Sequence, residues 1–101
     1  MNSEFKNSVI IKAIDTYGED SQTNMAVEEM SELIKALMKL RRNDVDKKEI
    51  FRNVAEEIAD VEIMLEQLKL IFNCFSLVET EKEIKINRLA KRLEMDKSEQ
   101  E

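Results

Sequence analysis

Apolar residues recur along this chain at steps of three and four, and nowhere do they alternate with polar ones at the period of a strand. The clearest run is Ile50, Val54, Ile58, Val61, Leu65, Leu68, Phe72 and Phe75. Such a stripe belongs to a helix with one buried face. With one glycine and no proline in the chain, little can interrupt a helix, so the breaks stand out. At Tyr17-Gly18-Glu19-Asp20-Ser21, Gly18 can end a helix in the left-handed conformation, and Asp20 or Ser21 can cap the next. At Arg41-Arg42-Asn43-Asp44-Val45-Asp46, two arginines suit a helix C-terminus, and Asp46 with Glu49 has capping-box spacing. Near Ser76 to Thr80, Thr80 and Glu83 repeat that spacing. The pattern predicts helices near 4–17, 21–42, 47–74 and 80–96, with a polar tail that frays over 97–101. The expected fold is all-α and four-helix bundle-like, a single domain over 1–101. Its long central helix spans about 28 residues or roughly 40 Å. A helix that long in so short a chain leaves apolar surface uncovered, so a homodimer or homotetramer is expected.

Composition narrows the chemistry more by what is missing than by what is present. A single glycine cannot build a phosphate-cradling loop or a dinucleotide fingerprint, which need several. Without histidine, Ser-His-Asp and Cys-His catalysis, Cys₂His₂ zinc sites and Glu-x-x-His di-iron sites are excluded. Carboxylates, lysines and arginines remain. The net charge of −6 argues against nucleic acid as a partner, since counterion release needs a strongly positive face. Cys74 has no cysteine to pair with in the chain, which suits a reducing compartment. No apolar run approaches 18 residues, the N-terminus lacks a signal-peptide profile, and a cytoplasmic protein with no membrane partner is expected.

Two acidic groups then draw notice by direction rather than number. They are Glu28-Glu29-x-x-Glu32 and Glu56-Glu57-x-x-Asp60. At about 100° per residue, Met25, Leu33, Ala36 and Leu40 fall within about 40° of Glu29, which places Glu29 inside the apolar stripe. Glu32 lies about 60° to one side, at the stripe's edge. Glu57 falls between Val61 and Met64, with Asp60 about 60° away, whereas Glu62 and Glu66 point to the opposite side as solvated charges should. Burying four carboxylates costs several kcal/mol each unless protons, basic partners or cations neutralise them. Geometry leaves two readings open. One is interhelical salt bridges, or edge residues whose stems reach water. The other is a divalent cation, since each i, i+3 pair projects from one side of its helix and hard oxygen donors suit Mg²⁺ or Mn²⁺.

The arrangement Glu28-Glu29-x-x-Glu32 followed by Glu57-x-x-Asp60 resembles the signature of the MazG-like nucleoside triphosphate pyrophosphohydrolases, whose short single-domain members are common in phage and prophage. The likeness extends to Tyr17-Gly18, Gln22, Ala26-Val27-Glu28-Glu29-Met30-Ser31-Glu32-Leu33, Glu56-Glu57-Ile58-Ala59-Asp60-Val61 and Asn87-Arg88-Leu89-Ala90-Lys91-Arg92-Leu93. The resemblance implies Mg²⁺-dependent hydrolysis of a nucleoside or deoxynucleoside triphosphate to monophosphate and pyrophosphate. It implies Glu29, Glu32, Glu57 and Asp60 as metal ligands and Glu28 as the catalytic group that orients or deprotonates water, a solvated role for Glu28 standing beside that.

Lys85, Arg88 and Arg92, at i, i+3 and i+7 beside the apolar side of the last helix, can hold the outer phosphates or pair with the helix dipole and exposed glutamates. Gln22, with its amide, is a candidate for a base edge or ribose, with capping as the alternative. Lys35 is a phosphate contact or, more simply, the intrahelical partner of Glu28 and Glu32. The rival to an enzyme is a non-catalytic helical oligomerisation protein with structural acidic pairs.

Overall fold

The computed structural model describes residues 1–42 and 46–95, among which there are four helices and no strand. Asn43 to Val45 of the second expected break, and the expected fraying over 97–101, lie outside the described residues. Asn2 opens α1 (Ser3–Tyr17), its side-chain oxygen accepting from the amides of Glu4 at 2.7 Å and Phe5 at 3.3 Å. Gly18 alone separates α1 from α2 (Glu19–Lys39). At φ 92°, ψ 154° it occupies a region that only glycine enters readily, and it serves as the C-cap of one helix and the N-cap of the next. No side chain caps α2, so the expected caps Asp20 and Ser21 fall inside its first turn. Beyond α2, the Lys47 ammonium donates to the carbonyls of Leu40 at 2.6 Å and Arg42 at 3.2 Å, satisfying groups that the helix end leaves open. Asp46 then caps α3 (Lys47–Ile71) through the Lys48 amide at 3.0 Å, rather than through the Glu49 amide that a capping box uses.

The joint between α3 and α4 (Phe75–Arg92) differs from expectation. The break falls at Phe72–Cys74 rather than Ser76–Thr80, because Asn73 takes φ 50° and turns the chain there. Asparagine tolerates the left-handed conformation better than most residues with a side chain. The Cys74 amide reaches back to the Lys69 carbonyl at 3.0 Å. Thr80 and Glu83 consequently sit within α4 and cap nothing.

Helices α2 and α3 pack along their lengths as an antiparallel pair, α1 lies against both, and α4 meets α3. The polarity follows from the side chains that meet: Gln22 bonds Gln67 near one end, and Lys47 reaches Leu40 near the other. The buried seam on α2 passes through Gln22, Ala26 and Ala36, with half-buried Glu29 and Leu33 in step. On α3 it passes through Ile50, Met64 and Gln67, with half-buried Val54, Glu57 and Val61 in step. Ile58 (42% exposed) and Leu65 (41%) flank that seam rather than fill it, one position from the stripe expected for them.

Among the described residues the apolar core is small: Ile10, Ala26, Ala36, Ile50 and Met64. No residue of α4 is buried, and Phe72, Phe75 and Leu77 stand 60% or more exposed at the α3–α4 corner. The radius of gyration is 17.2 Å, against about 13 Å for a compact domain of 100 residues. No helix among the described residues is long and apolar enough to cross a membrane.

Candidate metal centre

Seam positions on paired helices normally carry residues such as Ala26, Ile50 and Met64, because facing side chains must exclude water. Glu29 on α2 and Glu57 on α3 occupy such positions, and Asp60 stands one turn beyond Glu57. One carboxylate oxygen from each of the three lies within 4.8 Å of the others. Glu29 and Glu57 are half-buried and Asp60 is exposed, so the cluster opens to solvent on one side.

This grouping is electrostatically unsatisfied as it stands. Burial raises the carboxyl pKa of Glu29 above its ordinary value, and the charges of Asp60 and Glu57, a side-chain hydrogen bond with Asp60 and the charge of Glu32 raise it further. The Oε2 atom of Glu57 is buried without a hydrogen-bond partner. Ion pairs among the described residues include Lys6–Glu66, Lys35–Glu32 and Lys82–Glu79, and none includes Glu29, Glu57 or Asp60. An interhelical salt bridge therefore does not account for these three carboxylates. Three carboxylates facing one another, with one buried oxygen of Glu57 left without a hydrogen-bond partner, fit a divalent cation such as Mg²⁺ or Mn²⁺, for which they would be the protein ligands.

The other residues singled out by sequence lie as follows. Glu32 stands apart from the three-oxygen cluster, half a side chain exposed and 3.3 Å from the Lys35 ammonium. That contact is the intrahelical pairing open to Lys35 from the start. Glu28 is exposed, and its backbone carbonyl accepts from the Ser31 hydroxyl at 2.7 Å. Gln22 is buried, and its amide donates to Gln67 Oε1 at 2.7 Å. Lys85, Arg88 and Arg92 are exposed on α4. Arg88 lines a depression with Asn87 and Lys91 that includes none of the clustered carboxylates.

Glu66, expected on a solvated face, instead lies 3.4 Å from the Lys6 ammonium, because α1 covers that flank of α3. Sequence reasoning also passed over Gln67, buried at 4% exposure, and half-buried Asn53. The signal was present, since Asn53, Asp60 and Gln67 follow one another at seven-residue steps along the seam side of α3.

Comparison of the chain with family models, with curated proteins and with solved structures finds no match.

Proposed function

We propose that this chain is a MazG-like pyrophosphohydrolase that cleaves a nucleoside or deoxynucleoside triphosphate to monophosphate and pyrophosphate with Mg²⁺ or Mn²⁺. The observation that carries the reading is the orphaned Glu57 Oε2 within a cluster of three carboxylates that has no basic partner. Glu29, Glu57 and Asp60 would hold the metal, and Glu32 would join them by releasing Lys35, a surface contact worth under about 1 kcal/mol. Bound there, a divalent cation supplies charge neutralisation for phosphate oxygens and increases the acidity of water. Glu28, on the same turn of α2, is the group assigned to orient or accept a proton from the attacking water. Lys35, freed from Glu32, is then available to a phosphate oxygen. Gln22 serves this reading by fixing α2 against α3 through Gln67, with any contact to substrate secondary.

The acting species is a homodimer or homotetramer. The exposed aromatics at the α3–α4 corner and the absence of any buried residue on α4 support this, since a second copy would cover both. Lys85, Arg88 and Arg92 then meet the outer phosphates from α4 once assembly brings that helix against a carboxylate cluster. The protein works in the cytoplasm, on a soluble nucleotide. The test is a screen of the eight common NTPs and dNTPs for pyrophosphate release, with Mg²⁺, with Mn²⁺ and with chelator. Metal-dependent release from at least one is expected. No release from any, together with a melting temperature indifferent to Mg²⁺, returns the chain to the non-catalytic oligomerisation reading.

A further inference from the structure

The antiparallel register of α2 and α3 places polar residues along the seam and its edge at heptad steps. Gln22 bonds Gln67, and seven residues inward on both helices Glu29 meets Asp60. One further step, in the same register, sets Asn53 opposite buried Ala36. Gln67 has an amide partner and Asp60 has carboxylate neighbours, but Ala36 offers only a methyl group. Among the described residues no hydrogen bond is made by the half-buried side chain of Asn53. It lines instead a cavity of about 510 Å³, together with Lys39, Glu49, Ile50, Arg52 and Glu56. Asn53 lies about 6 Å along α3 from Glu57 and about 10 Å from Asp60.

We infer that this cavity receives the nucleoside end of the substrate, and that Asn53 reads the edge of the base. The inference rests on the pyrophosphohydrolase reading for the placement of the triphosphate. A carboxamide offers a donor and an acceptor together, which matches the paired groups on a base edge. Buried Ile50 supplies an apolar floor, and a guanidinium plane such as Arg52's stacks on a base. Glu49 and Glu56 can accept hydrogen bonds from sugar hydroxyls. The same two carboxylates, with that of Asp46, which also lines the cavity, outnumber Lys39 and Arg52 and repel phosphate. The neutral end of a nucleotide therefore lies here, and its charged end lies toward the metal cluster. A cavity of this size is within the range of small-ligand sites.

The experiment measures kcat and KM for each base with the wild-type protein and Asn53→Ala. The variant is expected to lose the wild-type base preference by about tenfold, the effect of one lost hydrogen bond, through KM rather than kcat. It should keep the Mg²⁺-induced rise in melting temperature. Base ratios identical to wild type would overturn the inference. In parallel, metal-free NMR titrations with the four nucleoside monophosphates, and with ribose 5-phosphate as the baseless control, follow the Asn53 side-chain amide. Base-dependent shifts of that amide support the cavity even if no triphosphate is hydrolysed, in which case only the enzymatic reading fails. Shifts equal to those with ribose 5-phosphate, or none, overturn it.

Discussion

Replacing Asp60 with asparagine removes one charge from the cluster and leaves its shape. In the apo protein, at a pH where Glu29 has lost its proton, Asp60 repels both Glu29 and Glu57 across separations within 4.8 Å. At 4.8 Å one like-charge pair costs about 0.9 kcal/mol in water-like surroundings and about 3.5 kcal/mol at an effective dielectric constant of about 20. Asp60 is exposed, so the lower figure governs, and relief of two pairs is worth about 1–2 kcal/mol. For a domain this small that corresponds to a melting temperature higher by roughly 5–10 °C. Metal reverses the ranking. On the proposed metal site the wild type should gain about 2.7 kcal/mol when free Mg²⁺ exceeds the dissociation constant a hundredfold, whereas Asp60→Asn, short of a ligand, should gain little. Thermal melts by circular dichroism with and without Mg²⁺ give both numbers from one pair of proteins. An Asp60→Asn variant that melts at or below wild type without metal, or that keeps the full response to Mg²⁺, refutes the account of this cluster.

Three further outcomes follow from the same geometry. The folded state holds the Glu29 proton above the ordinary value of 4.5, so it binds more protons than the unfolded chain as pH rises from 4.5 through the native value. Apo stability should fall over that window while Mg²⁺ affinity rises, and urea melts across pH should lose this component of their slope in Glu29→Gln. Light scattering at micromolar concentration should return the mass of a dimer or tetramer; a monomer contradicts the assembly. Arg88→Ala should raise KM for the triphosphate and weaken pyrophosphate inhibition while monophosphate affinity holds, and unchanged values in both Arg88→Ala and Arg92→Ala assign the stripe to surface pairing.

Helix number and the all-α class were legible because Gly18 and Asp46 punctuate a chain otherwise free of breakers. The α3–α4 joint was not, since a capping-box spacing at Thr80 is a local pattern whereas the turn at Asn73 depends on one residue accepting positive φ. Counting around the helix correctly set Glu29 and Glu57 among seam residues and Asp60 within reach of both. It could not decide Glu32, whose side chain lies at the stripe's edge and pairs with Lys35. Glu66 was misread for a related reason: a helical wheel shows which side a residue faces, but not that α1 will come to lie there.

The hydrogen bond between Gln22 and Gln67 works as a key in the joint between α2 and α3. Both residues are buried, so sliding one helix past the other would strand two amides at a cost of about 1–3 kcal/mol each. Apolar side chains such as Ala26 and Met64 tolerate small displacements; an amide pair has one setting. Because Glu29 and Asp60 each lie seven residues from that key, about 10 Å along their helices, the register that brings Gln22 to Gln67 also brings these two carboxylates together. Spacing between mutually repelling carboxylates is thus held from outside the cluster, by two side chains that carry no charge.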